Sequence, residues 1–180
     1  VRTRILRWCV MRALIFLAAF LVPLGANAQS VTEFWQSCLP EISQPPADGF
    51  YRVRSLGGTP EITEAITKLI LAGDKTGTFT SPWMYEGDRS ITPVAGGYSV
   101  LTDSHGDPAA VLKTTFLMTV PFNQITEKET AIDGPPVRPL EVWRPVHVTF
   151  FTGELNARGK TFVEDMPVTV EALEVVCARS

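Results

Sequence analysis

Apolar residues recur at helical spacing in an early segment of the chain. Thr59 is a residue type that caps helix N-termini, and Pro60 suits the first helical position. The apolar side chains that follow fall at positions i, i+4, i+7 and i+8 on one helix face: Ile62, Ile66, Leu69 and Ile70. Gly73 is typical of the position just past a helix end. The pattern predicts a helix over residues 60–72, followed directly by a strand over residues 75–80.

Alternating apolar and β-branched residues predict three more strands, over residues 98–102, 109–120 and 168–176. The stretch 103–107 contains turn-forming residues, so the first two of these strands are expected to form a hairpin.

A second helical repeat of apolar and aromatic residues precedes the last strand: Leu140, Trp143, His147, Phe150 and Phe151. Pro145 lies inside this repeat and has no backbone N–H, so we expect it to kink the helix or to divide it into two parts. A helix, several strands, a second helix and a final strand together predict an α+β domain.

The region before this domain has its own signals. Residues 30–33 form a capping box, which predicts a short helix beginning at Val31. Residues 44–49 are rich in proline and glycine and are typical of a linker. We therefore expect a helix and linker at residues 29–49, attached to a main domain at residues 50–178.

Residues 1–28 have the layout of a secretory signal peptide. An apolar run at residues 13–22 follows four arginines, and the small residues Ala26 and Ala28 come after it. We expect cleavage after Ala28 and export, to the periplasm or outside the cell, with no stable membrane span left. The alternative is a membrane anchor, but the run is shorter than the ~20 residues that cross a bilayer.

Composition and charge narrow the possible partners. Hydrophobic residues make up 45% of the 180-residue chain and charged residues 19%, so a packed core is available and a disordered chain is excluded. Four of the 16 basic residues and none of the 19 acidic residues lie within residues 1–28, so the remainder has a formal charge of −7. No DNA partner is expected, because such a surface repels a polyanion.

Two cysteines, Cys38 and Cys177, remain after cleavage. An even number of cysteines in an exported protein favours a disulfide, and two buried free thiols are the alternative. These cysteines and the two histidines lack the spacing of a metal site, so no metal and no cofactor is expected.

The segment after the first helix reads Gly73-Asp74-Lys75-Thr76-Gly77-Thr78, which has the form Gly-x-Lys-x-x-Thr. Further segments follow it in a recognisable order: Trp83-Met84-Tyr85-Glu86, Thr114-Thr115, 120–122, 140–147, Phe150-Phe151 and 173–176. Together they resemble the ASCH domain family, a branch of the PUA-like superfamily, over residues 50–178. The resemblance implies a small PUA-like β-barrel with flanking helices and a cleft between them. It also implies RNA binding; some relatives are ribonucleases, and some hydrolyse the acyl amide of N4-acetylcytidine.

The same resemblance indicates a candidate site. Lys75 and Thr78 are the candidate catalytic residues, and Lys75 is also suited to binding a phosphate or an acyl oxygen. The remaining candidate ligand-binding residues are Gly73, Trp83, Tyr85, Glu86, Lys113, Trp143, Arg144 and His147. Two aromatic rings at positions 83 and 85 are able to stack on bases or to cover the core. A structural hydrogen-bonding role is the alternative for His147.

Amide hydrolysis also needs a carboxylate, and the position that matches the family's glutamate is occupied by Lys113. Glu86 is the candidate replacement. The arginine that often ends the motif is Thr80 here, and Lys113 is the candidate substitute cation.

Three functions stay open from the sequence. The first is an exported module that binds a nucleotide, a nucleoside or short RNA. The second is a hydrolase that uses Lys75 and Thr78, and the third is a structural module with a vestigial site. The sequence does not fix the oligomeric state.

Overall fold

The computed structural model describes residues 29–179, so the predicted signal peptide and its cleavage site lie outside the described residues. The helices are α1 (Val31–Cys38), α2 (Pro60–Leu71), α3 (Pro82–Tyr85), α4 (Glu127–Thr130) and α5 (Leu140–Asn156), with 3₁₀ turns at Leu39–Glu41 and Phe122–Gln124. The strands are β1 (Arg52–Arg54), β2 (Gly77–Thr80), β3 (Tyr98–Thr102), β4 (Pro108–Pro121) and β5 (Pro167–Ala178).

The five strands form one mixed sheet in the order β1-β3-β4-β5-β2. β1 pairs with β3 in parallel, and every other pair is antiparallel. Arg52 and Arg54 on the edge strand β1 nevertheless reach Glu171 on β5, three positions away in the sheet order. The sheet is therefore strongly curled but not closed, and it stays open between its edge strands β1 and β2. The α+β fold predicted from the sequence is confirmed.

The two faces of the curled sheet carry different side chains, because residues alternate between faces along each strand. The inner face holds Leu112, Thr114, Glu171 and Leu173, and α2 packs on its apolar part through Ile70.

The outer face is covered by two helices. α1 buries Phe34 and Trp35 against β3 and β4, and so belongs to the packed body of the molecule. α5 packs on β2 and β5 in the largest cluster of buried residues: Phe79, Phe122, Ile125, Trp143, Phe151, Leu155, Met166, Val168 and Val170.

Most of the predicted elements are present within a few residues of their predicted bounds, because their ends carry clear local signals. Ser30 forms the predicted capping box, and the Thr59 side chain accepts a hydrogen bond from the N–H of Ile62. The predicted division of the helix at Pro145 is wrong, because α5 continues through this residue as a single helix. Pro145 and Glu141, whose carbonyl has no N–H to accept from at position 145, are both exposed.

A disulfide joins Cys38 at the end of α1 to Cys177 near the end of β5, with the two Cα atoms 5.8 Å apart. The sequence-based pairing is confirmed, and the alternative of two free thiols is wrong. Between residues 29 and 179, none of the helices combines the length and the apolar character needed to cross a bilayer.

Candidate functional site

Lys75 occupies the turn between α2 and β2. Gly73 ends the helix with φ +76°, a conformation that favours glycine, and the N–H groups of Asp74 and Lys75 both donate to the carbonyl of Leu69. This turn directs the Lys75 side chain into the protein, where it is only 6% exposed. Its ammonium group donates a hydrogen bond to the carboxylate of Asp133.

Asp133 is held in the loop between α4 and α5. Its Oδ1 accepts hydrogen bonds from Lys75 and from the N–H of Gly134, at 2.7 Å in the second case. Arg138 secures the loop by donating to the carbonyl of Asp133 and to that of Asp74. The other carboxylate oxygen, Oδ2, is buried and accepts no hydrogen bond within the described part of the chain.

His147 on α5 faces this oxygen, with its Nε2 atom 3.7 Å from Asp133 Oδ2. Its Nδ1 lies 2.9 Å from the carbonyl oxygen of Trp143. Because a carbonyl only accepts hydrogen bonds, Nδ1 carries the ring proton, and in the neutral ring Nε2 presents a lone pair to Asp133. The ring is stacked on Trp143 at a centroid distance of 3.9 Å. Burial lowers the pKa of His147 to about 4, against the opposing effect of the Asp133 charge.

A second buried carboxylate lies on the inner face of the sheet. Glu171 is fully buried and accepts three hydrogen bonds: from Arg52 Nη2 at 2.8 Å, from Arg54 Nη1 at 2.8 Å and from Thr114 Oγ1 at 2.7 Å. Burial by itself raises the pKa of Glu171, but the charges of Arg54 and Arg52 and the hydrogen bond from Thr114 lower it overall. Glu171 is thus an ionised anchor for two arginines.

The two buried clusters are connected by the backbone, since the N–H of Leu173, near Glu171 on β5, donates to the carbonyl of Thr76, next to Lys75, at 2.7 Å. Burial lowers the pKa of Lys75, the Asp133 carboxylate raises it, and the charge of Arg54 lowers it further. Thr78 lies directly opposite Glu171 in the pairing of β2 with β5, so the two side chains share one face.

The cluster formed by Lys75, Asp133, Arg52, Arg54 and Glu171, called the polar cluster below, contains three cations and two carboxylates. His147 beside it is neutral at pH 7, because its pKa is about 4. The polar cluster therefore carries an excess of one positive charge in a region largely removed from water.

The ASCH domain family matches this chain over residues 53–177. The chain belongs to that family. Its structure is similar to the ASCH domain of Lactobacillus crispatus JV V101, with a TM-score of 0.72 and 24% identity over 81% of this chain and 93% of that one. It is also similar to protein EF3133 of Enterococcus faecalis V583, with a TM-score of 0.71 and 28% identity over 82% of this chain and 88% of that one. No curated protein matches the chain.

Beside the Gly-x-Lys-x-x-Thr motif of this ASCH domain is a cavity of about 360 Å³. Its lining comes from the end of α2, the motif turn and β5: Ile70, Leu71, Ala72, Gly73, Lys75, Thr76, Leu173, Glu174 and Val175. In residues 29–179 no group of three or more His, Cys, Asp and Glu side chains is arranged to hold a metal ion.

Tyr85 at the end of α3 contacts the inner face of the sheet. Its hydroxyl lies 2.8 Å from Thr169 Oγ1, and Thr169 lies two residues before Glu171 on β5. Trp83 packs at the margin of the α5 cluster, away from the inner face. Glu86 is exposed, adopts φ +38° and pairs with Lys160, so it does not lie with Lys75.

Three other residues singled out from the sequence lie outside the polar cluster. Lys113 stands opposite Glu174 in the sheet, with its Nζ 5.8 Å from the centre of the Tyr98 ring. Trp143 is completely buried in the core. Arg144 donates to the backbone carbonyls of the turn after β4: those of Phe122, Asn123 and Ile125.

Four groups of the polar cluster were not predicted from the sequence: Arg52, Arg54, Asp133 and Glu171. Glu171 carried a signal, since it is the one charged residue between Val168 and Leu173 in a predicted strand. Arg52 and Arg54 alternate around Val53 and so share one face of a strand. Asp133 carried no comparable signal, because its partner is 58 residues away.

Proposed function

We propose that this ASCH domain is an exported module that binds a nucleotide, a nucleoside or short RNA beside the Gly-x-Lys-x-x-Thr motif. Members of its family are commonly RNA-binding, which supplies the ligand class. The observation that carries the proposal is the polar cluster, whose three cations and two carboxylates leave one positive charge buried, and whose Lys75 lines the cavity. Uncompensated buried charge is costly, and an anionic ligand compensates it.

The ligand is expected to be small. With a formal charge of −7 on residues 29–180, long nucleic acids experience repulsion over the ~10 Å range of electrostatic forces in ordinary salt. A nucleotide or a short RNA end that enters the locally positive region avoids most of that repulsion. The disulfide supports the export part of the proposal, because such bonds persist in oxidising compartments.

Three groups have the chemistry for recognition. Lys75 supplies a cation, Thr78 supplies a hydroxyl on the inner face, and Tyr85 supplies a ring on which a base is able to stack at roughly 1–3 kcal/mol.

The test measures ligand-induced thermal stabilisation with nucleosides, nucleoside monophosphates and short RNA. The variant removes the lysine and its partner together, as Lys75→Met with Asp133→Asn, because either change alone leaves a buried group without its partner. Lys113→Met is the matched control, since this lysine lies outside the polar cluster. We expect stabilisation of the wild type and of the control and none of the double variant. An equal response in all three proteins, or no response in the wild type, overturns the proposal.

A second candidate function is hydrolysis of an amide such as that of N4-acetylcytidine, or of RNA, and one observation favours it. Asp133 contacts Lys75 directly and offers a carboxylate that position 113 lacks. Burial lowers the pKa of Lys75, which favours its action as a base. In amide hydrolysis the C–N bond breaks, the hydroxide of water joins the carbonyl carbon, and the amine nitrogen takes a proton.

Release of cytidine from N4-acetylcytidine, or cleavage of RNA, by the wild type and its loss in Lys75→Met and Thr78→Val would support this second function. Ligand binding without turnover would restrict the protein to the binding role. Neither binding nor turnover would leave the third alternative, a structural module with a vestigial site.

A further inference from the structure

We infer that Arg54 is the anion-recognition residue of this site, and that the ligand carries a phosphate group that Arg54 binds. This inference rests on the proposed function and narrows its ligand class to a nucleotide or a phosphorylated RNA end, as opposed to an unphosphorylated nucleoside.

Glu171 holds Arg54 in place but does not use all the N–H donors of the Arg54 guanidinium. Arg54 Nη1 donates to Oε2 of Glu171 at 2.8 Å, while Oε1 is occupied by Arg52 and Thr114. Both carboxylate oxygens are thus engaged, and Glu171 acts as the anchor of the guanidinium plane. A guanidinium has five N–H donors in a rigid fork, so a substantial part of Arg54 is left for a ligand.

Arg52, the neighbouring arginine, has more hydrogen-bond partners than Arg54 and is less exposed. Arg52 donates to Glu171, to Thr114 and, at 3.4 Å, to the carbonyl of Ile91, and it is 5% exposed. Arg54 is 12% exposed, and Glu171 is its hydrogen-bond partner among residues 29–179. None of its nitrogens belongs to the buried polar atoms without a partner, so its remaining donors are reached by solvent. Arg52 is therefore a structural residue, and Arg54 is the one that presents donors outward.

The charges around Arg54 favour an anion at this position. The polar cluster contains three cations and two carboxylates, and both carboxylates are already paired, Glu171 with the arginines and Asp133 with Lys75. A phosphate at Arg54 compensates the surplus positive charge and accepts a bidentate pair of hydrogen bonds from the planar guanidinium. A neutral nucleoside offers no such compensation.

Binding of a nucleoside, of its 5′-monophosphate and of inorganic phosphate tests the inference, measured by calorimetry on the disulfide-intact protein. We expect the monophosphate to bind the wild type at least tenfold more tightly than the nucleoside. Arg54→Gln should remove this preference, and Arg54→Lys should retain part of it. Arg89→Gln is the matched control, because Arg89 is an exposed arginine that pairs with Asp48.

Each outcome bears on the inference. A monophosphate preference that survives in Arg54→Gln, or equal affinity of the wild type for nucleoside and monophosphate, overturns it. Arg54→Lys retains a cation near Glu171, so it keeps the test valid if Arg54→Gln fails to fold. Phosphate binding that depends on Arg54, with neither nucleoside nor monophosphate binding more tightly than inorganic phosphate, supports the anion site and contradicts the nucleotide function. If neither phosphate nor monophosphate binds, the inference fails.

Discussion

Replacing His147 by glutamine is expected to remove a specific part of the acid sensitivity of this protein. Burial holds the pKa of His147 at about 4 in the folded state, whereas the ordinary value of 6.5 applies once the chain unfolds. Between these two values the unfolded chain binds a proton at this histidine that the folded protein does not. Stability is therefore full above pH 6.5, falls as the pH decreases from 6.5 to 4, and changes no further from this source below pH 4.

The difference between 6.5 and about 4 corresponds to a loss of about 3 kcal/mol of unfolding free energy by pH 4, and about 2 kcal/mol by pH 5. Urea unfolding at pH 7 and pH 5 measures the loss in the wild type and in His147→Gln. The glutamine variant loses its hydrogen bond to Trp143 at both pH values, so only the change between the two pH values is compared. His105→Gln is the control, because His105 is exposed in the β3–β4 turn.

Two results would refute this reasoning. The first is an equal loss of stability between pH 7 and pH 5 in the wild type and in His147→Gln. The second is an NMR titration of the His147 ring with a midpoint near 6.5, which would mean that burial does not suppress its charge.

Three further predictions concern stability at pH 7, measured by urea unfolding. Lys75→Met alone should cost about 3–5 kcal/mol because it strands the buried Asp133 carboxylate, and adding Asp133→Asn should recover most of that loss; purely additive effects would contradict a coupled pair. The double variant Cys38→Ala with Cys177→Ala should lose up to roughly 5 kcal/mol, since the bond closes a loop with a sequence separation of 139, and an unchanged midpoint would argue against it. Trp143→Ala should lower the free energy of unfolding by about 3–5 kcal/mol because the side chain is completely buried. A loss below about 1 kcal/mol would contradict the burial of Trp143 in the core.

The parts of the site that the sequence predicts are those determined within a few neighbouring residues. The helix over residues 60–72, its glycine end and the inward turn to Lys75 follow from capping and spacing, which act over four or five positions. Glu171 and Arg54 are 117 residues apart in sequence, and they meet only because the sheet curls until β1 faces β5. Curl depends on the whole sheet, and no local pattern encodes it.

The register of β4 cannot be read from the sequence, which limits how far its residues can be assigned to a face of the sheet in advance. β4 carries register shifts between Val111 and Leu112 and between Thr114 and Phe116, and each shift changes which residues face inward beyond it. Counting along a strand therefore locates a residue on a face only up to the first irregularity. In the structure Thr114 contacts Glu171, while Lys113 lies beside Tyr98 on the other face of the strand.

The inner face of the sheet changes from apolar to charged along its strands, and this change is itself an argument for a binding role. Leu112 and Leu173 pack under α2, yet two residues further along the same strands Thr114 and Glu171 bind Arg52 and Arg54. Apolar residues of similar volume often stabilise a protein interior as well as buried ion pairs do, or better. A buried ion-pair network with a surplus positive charge is therefore poorly explained by stability alone. The free N–H donors of Arg54 in particular have no structural role within the described residues.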